Sequence, residues 1–497
     1  MTELFDMLTT LTRRRRVGEA LPFASPQSTR KWLEKLAVGS DYDTHHALVE
    51  GLERFNAENV RADLSRLLSL QVLETTGLPL QGRIIDQYIR NQSTFRLARQ
   101  ALWRESWMFW SLLAEAWLTM LKAAYRGSAV EELKPHRVEI GVRALRYAGL
   151  AMRWDYHDAR EPVASAWRRV HKIYRLLERD GLETQTVRLA GRATHGAREH
   201  SLIVLMGLVH PQGFRSHEIE SIAQLLDSYE SLPLPARTPD RKEHTHLVDL
   251  SATAGASVVD NDWMQGRRRR FLALRPLVTY LKSLDRGDAS PGSLTGQVAS
   301  LIERGGVQRS HSRTFRFGRV WAASGMSSVF SALMRNPGSR PALESWLIRD
   351  ESATGMGFAL DEGRLLPPGR LIAVSREPSG GGWHLLAVRW RRQENGRALI
   401  GTERLSRYPK TVEICSETLP DSTAGATQAI FLPLDQEGEG MSHLLVPRTH
   451  YTRGAVLDLR DGEAMYRLRL GEVRESHEDW LRVEMDVFDR VQMTQAA

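Results

Sequence analysis

Asp350, Ser352 and Gly355 stand at offsets of two and five in LIRDESATGMGFAL, directly ahead of an apolar run. A carboxylate, a hydroxyl and a glycine this close together suit one of two jobs. They close an Asx-type turn by hydrogen-bonding their own backbone, or they present a carboxylate and a hydroxyl to the edge of a base. The glycine serves either job, through φ > 0 or a close backbone approach. Upstream, QRSHSRTFRF sets Arg309 and Arg313 four residues apart. Arginine's planar fork meets guanine O6 and N7 bidentately and stacks on a base face, which lysine's point charge does not do. Such a pair carries little alone, because Arg188/Arg192 and Arg237/Arg241 repeat it. DLSATAG comes near the carboxylate pattern through Asp249 and Ser251, but Ala254 falls where the glycine should be.

These residues need elements to hold them. From about residue 313 the apolar period is two, and GMGFAL, RLIAVS, WHLLAVRW, ALIGTERL and TVEIC read as short strands. PPG, SGGG and ENG lie between them, and ENG between apolar runs signals a hairpin. Short antiparallel strands so spaced predict a small barrel. GMSSVFSALMRNP interrupts the set as an inserted helix, and QAIFLPL, HLLVPR, AVLDLR, MYRLRLGEV and DWLRVEMDVF predict a second small β unit.

The first half has the helical period. Leu48, Leu52 and Phe55 recur on one face; so do Val60, Leu64, Leu67 and Leu68, and again Trp167, Val170, Tyr174 and Leu177. Ser28 or Thr29 is placed to cap the helix carrying Trp32. Trp103, Trp107, Trp110 and Trp117 form one stripe, read as core that seals a helical hairpin against its neighbour. Proline-rich SLPLPARTPDR ends this half; HTHLVDLSATAGASVV reads as strand and turn, and RRRRFLALRPLVTYLKSL as helix. The fold class expected is α+β multidomain: a repeat-like half of helical hairpins, then small antiparallel β-barrel domains. Boundaries fall at 1–26 (a basic segment), 27–231 (helical), 232–293 (small and mixed), 294–418 (barrel) and 419–497 (second β domain).

Asp350-x-Ser352-x-x-Gly355 ahead of barrel strands, with Arg309-x-x-x-Arg313 upstream, resembles the PilZ family, bacterial receptor domains for cyclic di-GMP. The resemblance covers roughly residues 305–415. It implies that Arg309 and Arg313 grip phosphate and guanine, that Asp350 accepts from the guanine N1 and N2 hydrogens, and that Ser352 adds a hydroxyl. Gly355 would shape the turn. It implies a switch rather than an enzyme, with the nucleotide as ligand; beyond the resemblance, a changed domain arrangement on binding and a protein partner met by the helical half are expected.

The totals agree with that reading without requiring it. The 497 residues are 42% hydrophobic and 26% charged, with a net charge of +8 that admits an anionic partner. A single cysteine, Cys415, excludes an internal disulfide and a thiolate metal cluster, and fits a reducing compartment. The opening MTELFDMLTTL lacks a basic n-region, and SWMFWSLLAEAWLTMLKAAY carries Glu115 and Lys122, so the expectation is a cytoplasmic protein with no membrane span. No GxGxxG, GxxxxGK[ST], HExxH or GxSxG occurs, and the sixteen histidines show no ligand spacing; for His45, His46, His195 and His200 surface or capping roles are expected, with no metal and no catalytic residue. Two rivals stand beside this: a protein-binding scaffold with a degenerate nucleotide site, and a single-strand nucleic-acid binder using Trp383, Arg389, Trp390 and Arg391.

Overall fold

The computed structural model describes residues 22–36, 39–58, 60–90, 96–259, 266, 268–285, 293–305, 314–334, 343–360, 366–377, 382–394, 397–415, 427–433, 442–461, 464–477 and 479–491. The chain forms two compact units, Met1–Ala151 with Lys172–Glu199, and Met152–His171 with His200–Ala497. The architecture is α+β and multidomain: a helical first half, then two closed antiparallel barrels of six strands each.

In the first unit the helices Pro26–Leu36, Asp41–Ala57, Leu64–Arg90 and Arg96–Tyr125 bury the faces that the helical period marks. Leu48, Leu52, Phe55 and Leu67 are all at most 4% exposed. The second stripe is read less well: Leu68 is 40% exposed, and Val60 precedes its helix. The first cap is also displaced. Helix Pro26–Leu36 begins with proline, and Ser25 Oγ accepts from the Ser28 N–H at 3.2 Å. Proline suits a first helical position because that N–H has no intrahelical partner. Of the tryptophan stripe, Trp103, Trp110 and Trp117 are core, as expected, while Trp107 is only partly buried. Trp110 lies against Tyr147 of helix Arg137–His157 with ring centroids 5.9 Å apart, while Trp117 is fully buried. Among the described residues no helix is long and apolar enough to cross a membrane.

Between the helices, β1 (Val187–Leu189) and β2 (Arg192–Thr194) form a short hairpin. In the second unit β3 (His246–Asp249) pairs with β4 (Ala256–Val258) and β5 (Arg269–Leu272). Strand β5 corrects the expected helix: RRFL is extended, and the helix begins only at Arg275. Phe271 and Leu272 are buried beside β3, so sheet pairing there outweighs the helical pattern that follows.

Buried His246, on β3, gives this region a pH signature. Burial lowers its pKa to about 4, opposed in part by the Ile302 carbonyl. An unfolded histidine titrates near 6.5, so the folded form is the weaker proton binder. Its contribution to stability is complete above pH 6.5 and is lost as pH falls towards 4. His171, His200, His384 and His443 are shifted the same way, by burial first. The thermal midpoint is expected to fall between pH 7 and 4.5, and to fall less in His246→Asn. Equal slopes in the two proteins would remove His246 from the account.

The first barrel contains β6 (Thr314–Ser324), β7 (Glu344–Ser352), β8 (Gly355–Leu360), β9 (Leu371–Ser375), β10 (His384–Glu394) and β11 (Arg397–Ser406). They close in the order β10-β11-β8-β7-β6-β9. Val320, Trp346, Ile348, Phe358, Val388 and Ile400 fill it, each the inward member of an alternating strand. The second barrel contains β12 (Lys410–Cys415), β13 (Thr427–Leu432), β14 (His443–Pro447), β15 (Val456–Asp461), β16 (Ala464–Ser476) and β17 (Trp480–Val491). Its order is β12-β13-β14-β17-β16-β15. Here too one reading is corrected. TVEIC, taken with the first set of strands, hydrogen-bonds to β13 and β15 and belongs to the second barrel.

The two barrels pack on each other through an apolar seam. The inserted helix, Met326–Leu333, puts Val329 and Phe330 beside Leu371 and Leu385 of one barrel and Ile430, Leu445 and Trp480 of the other. Trp480 Nε1 donates to the Gly369 carbonyl at 2.9 Å. Arg389 joins the barrels electrostatically, with Glu403 at 2.7 Å on its own side and Glu475 across the seam.

Candidate functional site

The Asp-x-Ser-x-x-Gly stretch builds the β7–β8 hairpin, on one rim of the first barrel. Ser352 lies opposite Gly355, so Ala353 and Thr354 alone make the turn. Asp350 sits two residues before the end of β7, half-buried, and faces Gly357 on one side and Phe315 on the other. Ser352 Oγ donates to the Gly355 carbonyl at 3.3 Å. The structure therefore brings Asp350, Ser352 and Gly355 together within a single hairpin.

Gly355 is needed for space rather than for its dihedral. Its φ is not positive, while a Cβ there would lie 2.0 Å from the Thr402 carbonyl oxygen on β11. Of the two uses of glycine raised by the sequence, close backbone approach is the one found.

Arg309 and Arg313 lie outside the described residues. The description resumes at Thr314, next after Arg313 in the chain, and Thr314 is registered opposite Glu351 with Phe315 opposite Asp350. Strand β6 thus begins on the rim that carries the hairpin.

Four groups at this rim were missed by sequence reasoning: Arg404, Arg376, Glu351 and His384. Arg404 holds the turn: its backbone N–H donates to Thr354 O at 2.7 Å, its Nη1 to Ala353 O at 2.9 Å and its Nη2 to Glu351 Oε1 at 3.2 Å. Arg376, beyond the end of β9, donates to the other Glu351 oxygen at 2.8 Å. Glu351 is therefore an internal counter-ion for two guanidinium groups. Half-buried His384 at the start of β10 has its pKa lowered by desolvation first and then by Arg404, with Glu351 opposing. The rim combines a carboxylate, a hydroxyl, paired arginines and an exposed phenyl ring. Such a set suits a ligand that carries both anionic groups and a planar base with N–H donors.

The other sequence candidates are taken up structurally. In DLSATAG, Asp249 Oδ1 accepts from Ser251 N at 2.8 Å and Ser251 Oγ at 2.6 Å, which is an Asx turn. Ala254 O accepts from His171 Nε2 at 2.9 Å, and His171 Nδ1 lies 3.0 Å from His200 Nε2. Burial pushes His200 well below the usual histidine range. His45 and His200 are buried, as is His171, which corrects the surface or capping expectation for the first two; His195 does cap, accepting from Arg198 N at 3.2 Å. Among the described residues no group of three His, Cys, Asp or Glu side chains could hold a metal ion. In the Trp383/Arg389/Trp390/Arg391 cluster, Arg389 is engaged by Glu403 and Glu475, and the Trp390 ring lies over Gly401.

Residues 27–233 match the family model of the N-terminal domain of the cyclic-di-GMP receptor FimW. The match covers the helical half and stops short of the barrels, so it is independent of the hairpin pattern. No curated protein matches the chain.

Proposed function

We propose that this chain is a cyclic di-GMP-binding effector whose first barrel is a PilZ-like receptor domain. The observation that carries the reading is the placement of Asp350, Ser352 and Gly355 in one hairpin on a barrel rim, in register with the strand that begins directly after Arg313. The likeness of residues 27–233 to the N-terminal domain of a cyclic-di-GMP receptor supports it from the other half of the chain. In this reading Arg309 and Arg313 take phosphate and guanine, Asp350 accepts from the guanine N1 and N2 hydrogens, and Ser352 adds a hydroxyl contact. Gly355 acts indirectly, by letting the hairpin lie against β11.

The protein then works as a binding switch and not as an enzyme. A ligand held both by the segment carrying the arginines and by the barrel draws the two together, and biases the arrangement by its differential affinity for that state. The helical region, about residues 27–231, would carry the response to a protein partner, with the mixed region 232–293 between it and the receptor barrel. The boundary between the barrels falls ahead of Lys410.

Isothermal titration of the full chain with cyclic di-GMP, beside GTP as control, tests this. A bidentate base contact is worth about 1–3 kcal/mol. Asp350→Ala and Arg313→Ala are each expected to weaken binding about ten- to a hundredfold, with the far-ultraviolet spectrum unchanged. Binding by both variants at wild-type strength would move the site elsewhere. No binding by the wild type would leave the scaffold reading.

A further inference from the structure

The rim carries one side chain that the hairpin pattern does not account for. Phe315 is 72% exposed, at the second residue of β6, although a phenyl ring gains about 1.5–3 kcal/mol on burial. It is the register partner of Asp350. Directly paired residues of antiparallel strands put their side chains on the same face, with Cβ atoms about 4.5–5.5 Å apart. The register of β6 against β7 shifts between Phe315 and Gly318, an irregularity of the kind that re-aims a side chain at a rim. The barrel interior does not need the ring, because Trp346 and Phe358 already meet there edge to face, with centroids 5.6 Å apart. Phe488, exposed on the second barrel, has the Arg469 guanidinium over its ring at 5.9 Å. Among the described residues Phe315 shows no aromatic or cationic neighbour of that kind.

We infer that Phe315 is the stacking surface for one guanine of cyclic di-GMP, taking the face of the base whose edge Asp350 reads. This rests on the nucleotide reading above and adds a residue to it. A base lying on the ring places its N1 and N2 hydrogens in the plane in which a neighbouring carboxylate can accept them. Stacking is indifferent to which base is present, whereas Asp350 selects for guanine. Phe315 therefore contributes affinity and Asp350 contributes choice.

The test uses the full chain with Phe315→Ala, Phe315→Leu and Phe315→Trp, each titrated with cyclic di-GMP. Base–aromatic stacking corresponds to a loss of about five- to a hundredfold on removing the ring. Phe315→Ala and Phe315→Leu are both expected to show that loss, since leucine keeps apolar area but offers no π face. Phe315→Trp is expected to bind at least as tightly as wild type, and its emission, taken as the difference from wild type, to be quenched on saturation. Circular dichroism should be unchanged, because the side chain supports no core. If the wild type binds and Phe315→Ala or Phe315→Leu binds equally well, the stacking role is wrong while the nucleotide reading stands. If the wild type does not bind, the nucleotide reading fails and this inference with it.

Discussion

Replacing Arg389 with methionine is expected to cost the protein about 2–4 kcal/mol, a little below the roughly 3–5 kcal/mol of breaking a buried ion pair. The reduction reflects its 29% side-chain exposure, which leaves room for water to solvate what remains. Arg389 bridges two carboxylates: Nε donates to Glu403 at 2.7 Å, and Nη2 to Glu475 at 3.0 Å. Methionine fills much of the volume but leaves Glu475 with His477 as its remaining partner. Burial by itself would raise the Glu475 carboxyl; hydrogen bonds from His477 and Arg389 outweigh it and hold the group at about 2. That depressed value contributes stability that is complete above about pH 4.5 and lost as pH falls towards 2. In Arg389→Met the acid-side loss should shrink, because less depression remains to be undone. Adding Glu475→Gln to Arg389→Met should recover part of the stability, since no uncompensated charge is left at the seam. Chemical denaturation of the two single variants and the double variant reads the coupling directly. Strict additivity would mean that the two side chains do not interact, and that the apolar seam and the Trp480–Gly369 hydrogen bond hold the barrels without them.

How much of this could be read from residues in order depends on how local each feature is. The barrels were legible because alternation puts Trp346, Ile348 and Phe358 on one face whatever their partners are. Which strands pair was not. TVEIC alternates as well as its neighbours do, and only register with β13 and β15 assigns it to the second barrel. RRFL was read as helix because four residues are too few to show a period, and a long helical pattern follows. The tryptophan stripe survived because its spacing already describes a face, and that face packs on Tyr147.

The same distinction divides the rim. Asp350, Ser352 and Gly355 were found because a hairpin is a local object. Glu351 stood between them unremarked, since nothing nearby in the chain shows that Arg376 and Arg404 converge on it. Arg404 reaches the turn from 51 residues downstream of Ala353. A tertiary counter-ion of that kind leaves no spacing to find. Phe315 was hidden for another reason: TFRF reads as an ordinary strand start, and only its exposure and its register opposite Asp350 set it apart.

Gly355→Ala is expected to be among the most damaging single-methyl additions in the first barrel. The new Cβ would lie 2.0 Å from the Thr402 carbonyl oxygen and 3.1 Å from its carbon, well inside van der Waals contact. A flexible side chain could swing away, but this obstacle is backbone. Thr402 is also fixed by its own bonds, with Oγ1 donating to Met356 O at 2.8 Å and accepting from Met356 N at 3.3 Å. Relief requires β8 and β11 to separate, which breaks those bonds and loosens the grip of Arg404 on Ala353 and Thr354. Overpacking typically costs about 1–3 kcal/mol, and a clash with paired backbone should reach the top of that range. At about 4–8 °C per kcal/mol for a small domain, the first barrel should melt some 10 °C or more below wild type. The opposite sign is expected at Gly82, in helix Leu64–Arg90, where a Cβ would meet nothing within 4 Å. There alanine should stabilise by about 0.5–1 kcal/mol through helix propensity. Gly355→Ala should also lose nucleotide binding, together with stability, whereas Asp350→Ala should lose binding alone. That pairing separates a residue that shapes the rim from one that reads the ligand. A Gly355→Ala protein melting within 2 °C of wild type would mean that β8 and β11 do not approach as closely as described, and that the hairpin stands differently on the rim.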